Sequence, residues 1–228
     1  MSEWWTYTLS DFLLFSPRTY YRLLELYNLG IWPAQLAGLA IGVSIAVLLL
    51  GARPQRDRII AGLLAVCWLW VAWAFLHERY AQINTAAPWF AAAFALQALL
   101  LAGISAFGGR VALANAPVGA ARIRSATVTI AVVGYPLLAP LAGRPWTNAE
   151  MFGAAPDPTA IATVAALGLA RGGRRVLLLV VPLLWCLVSG ATLWAMNSPE
   201  AMIVAGSGVL AIILAARKMR NRAPAAIR

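Results

Sequence analysis

The chain has one lysine, one histidine, two cysteines and eight acidic residues among its 228. Each shortage excludes a chemistry. A lone histidine, His77, cannot supply the paired imidazoles of a bis-histidine haem or a histidine-rich metal site within one chain, so no metal and no cofactor is expected. The sole lysine, Lys218, lies beyond the last long apolar run, which leaves no buried amine for a retinal Schiff base. No Asp, Glu, Lys or Arg falls in the middle of a long apolar run. Ion-coupled carriers and proton pumps usually keep such residues inside their bundles, so an electrogenic coupled transporter is not expected. Cys67 and Cys186 both fall within apolar runs and read as small core residues, not as a disulfide or a metal pair. A serine nucleophile would need a histidine beside it in an elbow motif, and a phosphate-binding loop would need clustered glycines ahead of a helix. Neither is present. Gly108-Gly109-Arg110 and Gly172-Gly173-Arg174 read as tight turns. Enzymatic chemistry is therefore not expected.

What is abundant is apolar material: 62% of the residues are hydrophobic and 11% are charged. Runs of that length without charge specify an all-α membrane protein. Seven spans are expected, near Trp32–Leu50, Ile59–Leu76, Pro88–Phe107, Ala126–Ala142, Pro158–Ala170, Val176–Met196 and Ala201–Ala216. They are preceded by an aromatic-rich lead (Trp4, Trp5, Tyr7, Phe12) and an amphipathic helix. Ser16-Pro17 supplies its N-cap and first-turn proline. Tyr20, Leu23, Leu24 and Tyr27 fall on one face, and Arg18, Arg22 and Glu25 are left for the wet side. Such a helix lies along the membrane surface. Residues 1–30 thus form an extracytoplasmic interfacial segment, 31–217 the seven-helix domain and 218–228 a basic tail. No cleavable leader is expected.

The net charge of +10 does not imply nucleic acid, because the arginines sit in short loops between apolar runs. The loops after spans one, three, five and seven carry fourteen cations against one acid, Asp57; the alternate side carries four cations and seven acids. By the positive-inside rule the N-terminus lies outside and the C-terminus in the cytoplasm, as expected for a bacterial inner-membrane protein. Trp32, Trp73, Trp89, Trp146 and Trp194 then fall at the outer interface, where they read as an aromatic belt.

The unusual stretch is Phe152–Gly173. Its helical part is small on nearly every face (Ala160, Ala162, Ala165, Ala166, Gly168) and would be roughly 20 Å long, short for a hydrocarbon core of about 30 Å. It therefore belongs inside a bundle. Asp157, Pro158 and Thr159 read as its N-cap and first turn. Charge alternation is kept only if this segment crosses completely. Gln97, in mid-span, needs a partner on another helix, and Gln35, Ser44, Thr127, Thr129, Ser189, Thr192 and Ser207 invite the same reading. Two functions are open. In the first, Asn28, Gln35, His77, Tyr80, Asn84, Asp157 and Thr159 line an outward-facing polar pocket of a passive permease or channel-like protein for a small solute. In the second, the same groups are caps and interhelical ties of a non-transporting subunit or scaffold. Its aromatic N-terminal segment would then dock a protein partner or a second copy. Either way the lipid bilayer is the first partner.

Three stretches, YNLGIWPAQ (Tyr27–Gln35), HERYAQINTAAPWF (His77–Phe90) and FGAAPDPTAIAT (Phe152–Thr163), together resemble an uncharacterised family of bacterial multi-pass membrane proteins, a domain of unknown function. The matching positions are Tyr27, Asn28, Trp32, Pro33 and Gln35; His77, Tyr80, Ile83 and Asn84; and Pro156, Pro158 and Thr159. Where the family motif often has cysteine between the prolines, this chain has Asp157. The resemblance implies the fold and the clustering of the motifs on the outer side, and no activity.

Overall fold

The computed structural model describes residues 14–51, 55–107, 118–168 and 174–207, and every regular element among them is helical. The lead residues Trp4, Trp5, Tyr7 and Phe12, the arginines at 53, 110, 171 and 217 onward, and most of the predicted seventh span lie outside the described residues.

Helix α1 (Pro17–Gly30) begins as its sequence predicts: Ser16 Oγ accepts the Thr19 N–H at 3.2 Å and Pro17 occupies the first turn. Tyr20, Leu24 and Tyr27 are buried, while Arg18 and Arg22 are exposed. Helix α2 (Ala34–Leu50) follows after a bend of 92°.

Four helices are long and apolar enough to cross a membrane, and a fifth is added if the bent α1–α2 pair is one span. They are Arg56–Gln82, which starts as α3 (Arg56–Trp70); α4 (Ala87–Phe107); Val118–Leu141, which starts as α5 (Val118–Thr129) and ends as α6 (Leu138–Leu141); and the Val176–Ala195 part of α8 (Arg174–Ala195). Two of them contain a wider π-turn, at Val71–His77 and Ile130–Gly134. The second precedes Tyr135-Pro136. Proline has no N–H for the helical ladder, and the π-turn and the following 3₁₀ turn (Tyr135–Leu137) absorb the lost bond. Pro182 is held inside α8 without a break.

Between α6 and α8 lies α7 (Pro156–Gly168), 13 residues or roughly 20 Å of helix in which every residue but Ala165 is buried. It packs against α3, α5, the π-turn after α5, and α8. Small side chains permit this, and two glycines of α2 let that helix close on the turn ahead of α7 and on Val132. A Cβ on Gly38 of α2 would stand 2.4 Å from the Phe152 carbonyl oxygen, and one on Gly42 would stand 2.5 Å from Val132. Gly153, at φ +76°, turns the chain into α7 in a backbone region that side chains disfavour. The helix of the last described residues opens at Glu200.

Two expectations change. Arg122 and Arg124 read as loop residues, but both lie within α5, and Arg124 is buried. The amphipathic start of this helix extends the span by two turns toward the loop. Arg58 is likewise part of α3, where it donates to the carbonyls of Ser105 and Ala106, both at 2.7 Å. These are among the last carbonyls of α4, which have no intrahelical partner; a cation there also complements the helix dipole.

Candidate functional site

The site is built on the turn into α7. Ala154 and Ala155 both donate to the Met151 carbonyl, at 3.1 and 2.8 Å, and this closes the turn. Pro156 and Pro158 follow, in the first helical turn, where a missing N–H costs nothing. Thr159 then ties the turn to the helix: its Oγ1 donates to the Ala155 carbonyl at 2.7 Å and accepts the Gly153 N–H at 2.9 Å.

Asp157 does not cap α7. It lies inside the first turn, fully buried, and its carboxylate accepts from three side chains on two other helical segments. Trp185 Nε1 donates at 2.7 Å, Ser189 Oγ at 2.7 Å and Tyr135 OH at 3.1 Å. Trp185 and Ser189 are one helical turn apart on α8, so both reach the same point. Tyr135 follows the π-turn that re-aims the end of its helix. Lower on α7, Thr163 Oγ1 accepts from Trp68 Nε1 at 2.8 Å. Trp68 and Trp185 also meet the Phe94 ring, at 4.3 and 5.0 Å between centroids. Two buried indoles thus point their N–H groups at α7 and fill the space around it with aromatic surface.

A second layer joins α1 to the segment ahead of α7. Asn28 Nδ2 donates to the Thr147 and Ala149 carbonyls at 2.7 and 2.9 Å, and Asn148 Nδ2 returns a bond to the Tyr21 carbonyl at 2.9 Å. Gln35 Nε2 donates to the Asn28 carbonyl at 2.7 Å across the α1–α2 bend, and its Oε1 is buried without a hydrogen-bond partner. Tyr27 OH donates to the Ala154 carbonyl at 2.9 Å and accepts from Trp70 Nε1 at 3.2 Å. Arg144 lies over the Tyr21 ring and pairs with Glu200. Glu150 is buried here. Its Oε1 accepts from Tyr20 OH at 2.8 Å and its Oε2 has no hydrogen-bond partner. Tyr20 meets Tyr80 and Phe15 at 6.1 and 5.9 Å between ring centroids, and Asn84 lies against Tyr80.

Of the seven residues singled out from the sequence, six join one continuous network. Asp157 and Thr159 stand at its centre, Asn28 and Gln35 at the α1–α2 corner, Tyr80 in the turn that ends the helix starting as α3, and Asn84 just ahead of α4. Asn84 also closes the turn ahead of α4, accepting the Ala86 N–H at 2.9 Å. His77 stands apart: it is exposed and stacks on Trp73 at 5.0 Å. Sequence reasoning missed Glu150, Tyr20, Tyr135, Trp68 and Trp185 as members of this network, whereas Ser189 makes the interhelical bond expected of it. The signal available was that a buried Trp or Tyr must spend its N–H or O–H on an acceptor. Gln97 does cross between helices, donating to the Leu178 carbonyl at 3.0 Å. Ser44, Thr127, Thr129 and Thr192 instead bond to carbonyls four residues back in their own helices; Ser207 bonds to one three back and also reaches Cys186 Sγ of α8 at 4.0 Å.

These features fall inside a match to a family model that spans residues 18–225, described as a family of unknown function (DUF6064). The chain belongs to this family. No curated protein and no solved structure matches it. All three family-like stretches, from Tyr27, His77 and Phe152 onward, thus lie inside the family region and meet in the network around α7.

Glu150 gives that network a pH dependence. Burial first, and then the charge of Asp157, push its carboxyl well above the usual carboxylate range. In the window between its unfolded value and this raised value the folded chain holds a proton that the unfolded chain has released. Its contribution to stability is therefore complete at acid pH and is lost as the pH rises. Glu150→Gln keeps an acceptor for Tyr20 and removes the charge. It is expected to melt higher than the parent at pH 8 in detergent, with the difference shrinking toward pH 4. A difference that grows on acidification would contradict this.

Proposed function

We propose that the chain is a non-transporting integral membrane subunit or scaffold, with seven crossings of the bacterial inner membrane, the N-terminus outside and the C-terminus in the cytoplasm. The observation that carries this reading is the use made of the polar side chains. Asp157 has three donors, and Asn28, Asn84 and Thr159 are engaged with backbone groups of this chain. Two cavities outlined by described residues lie away from these groups, one beside α1 and one between α2 and α5. Groups engaged in internal bonds have less to offer a solute. Docking falls to the aromatic N-terminal segment on the extracytoplasmic side, toward a protein partner or a second copy. The arginine distribution supports the orientation, and the buried, small-faced α7 supports a short complete crossing inside the bundle.

A passive permease for a small solute is the second reading. Two observations favour it: Gln35 Oε1, at the α1–α2 bend, and Glu150 Oε2, beside Tyr20 of α1, are buried acceptors with no partner. Water or a solute donor would satisfy them. Reconstitution in liposomes separates the two. With a panel of small neutral and anionic solutes, the parent, Asp157→Ala and Asn84→Ala should leak equally and no faster than protein-free vesicles. Solute-selective flux that either substitution abolishes would establish the permease.

A further inference from the structure

A cavity of about 370 Å³ opens between α1 and the end of the helix that starts as α3. Arg18 and Arg22 line it from α1, one helical turn apart, and Arg79 lines it from the facing segment. All three are exposed. Leu23, Leu26 and Ile83 complete its walls with aliphatic surface. Glu25 accepts from Arg22 at 2.8 Å and so takes up part of one charge. Among the described residues no acid stands within ion-pair distance of Arg18 or Arg79. Converging guanidinium groups repel one another, and an arrangement that faces two unneutralised ones across a concave surface is favourable when an anion sits between them.

The choice of cation narrows the anion. Guanidinium forks match the oxygens of a phosphate, two at a time, and arginine is less strongly hydrated than lysine. The position narrows it further. α1 meets α2 at 92°, so a crossing α2 lays α1 at the depth of the headgroups, with Leu26 and Leu29 exposed beside the arginines. A basic pocket between helices at that depth offers charge complementary to an anionic lipid headgroup. We propose that Arg18, Arg22 and Arg79 form a binding site for a phosphate monoanion, supplied by the headgroup of an anionic phospholipid whose acyl chains run along Leu23, Leu26 and Ile83. The inference rests on the interfacial placement of α1 in the reading above. It is independent of whether the bundle transports.

The test uses the full chain, purified in a neutral sugar detergent and melted with three added probes: phosphatidylglycerol, diacylglycerol and inorganic phosphate. Phosphatidylglycerol should raise the melting temperature of the parent saturably, and diacylglycerol, which has the chains without the phosphate, should not. A phosphate effect equal to that of phosphatidylglycerol would keep the site and assign its ligand to the aqueous phase. Arg18→Gln/Arg79→Gln should weaken the phosphatidylglycerol response by a factor of about ten or more, because two exposed charge-assisted contacts to the phosphate are lost together. Arg22→Gln should weaken it less, because Glu25 already engages that side chain. All three side chains are exposed, so the variants should melt near the parent when no lipid is added. If the double variant nonetheless fails to fold, Arg79→Gln alone carries the test. An unchanged response in the variants, or a diacylglycerol shift as large as that of phosphatidylglycerol, overturns the proposal.

Discussion

Gly38→Ala is expected to lower the melting temperature of the detergent-solubilised protein by about 6–12 °C, taking about 2–4 °C per kcal/mol for a chain of this size. The added methyl would stand 2.4 Å from the Phe152 carbonyl oxygen. That atom belongs to the turn that carries Gly153, whose own position is pinned: a Cβ there would be 3.2 Å from both Cys67 Sγ and Gly38 Cα. A side chain in the way can rotate, whereas a backbone turn must move as a unit. The cost therefore falls at or beyond the upper end of the usual 1–3 kcal/mol for overpacking, about 3 kcal/mol. Displacing the turn also shifts Thr159 and the start of α7, so the loss should appear as a less cooperative transition too. Gly103→Ala is the matched control. Gly103 also lies within a long helix, but a Cβ there meets nothing within 4 Å. It should be neutral or stabilising by about 0.5–1 kcal/mol, the usual gain of Ala over Gly in a helix. If the two substitutions behave alike, the close approach of α2 to the 152–153 turn is wrong.

Asp157→Ala should be comparably severe. It strands the Trp185, Ser189 and Tyr135 donors in a buried site. A hydrogen bond to a charged group contributes about 1.5–3 kcal/mol in soluble proteins. Polar pairs inside membranes average about 0.6 kcal/mol, because the unfolded helices also find partners. Three such bonds place the loss at about 2–5 kcal/mol. Asp157→Asn keeps the volume and one acceptor oxygen but presents an amide donor to groups that are themselves donors. It should recover part of the loss, since Ser189 and Tyr135 can turn their hydroxyls and accept, while the Trp185 indole cannot. The order parent, Asn, Ala in melting temperature, read in one detergent at pH 7, checks this. An Asp157→Ala variant as stable as the parent would mean that the carboxylate is held open for something else.

The sequence carried some of this structure legibly. The Ser16-Pro17 start of α1 and its buried Tyr20, Leu24 and Tyr27 follow from capping chemistry and helical period, both local. The small faces of α7 announced a helix surrounded by others. The interhelical bond of Gln97 followed because an amide in mid-span has no water to turn to. The inner network was harder to read, because its members are ordinary residues of apolar runs: Trp68, Tyr135, Trp185. An indole in a membrane protein reads first as belt, and Trp32, Trp73, Trp89, Trp146 and Trp194 are exposed. Nothing local separates them from Trp68 and Trp185, whose burial is decided by which helices become neighbours. The same holds for Asp157. Its place beside two prolines suggested a cap, and only the approach of α8 and the segment at Tyr135 makes it an acceptor for three helical partners. Serines and threonines were over-read, since their short side chains reach their own helix more easily than the next one.

The central claim is that the polar groups around Asp157 tie helices together in a dry interior. Thiol labelling tests it most directly. Ser189→Cys and Thr159→Cys, made in the full chain in intact membranes, should resist a membrane-impermeant maleimide as fully as the parent, whose Cys67 and Cys186 are buried, while His77→Cys reacts readily. Labelling of Ser189→Cys at a rate near that of His77→Cys would put water at the carboxylate and contradict the account.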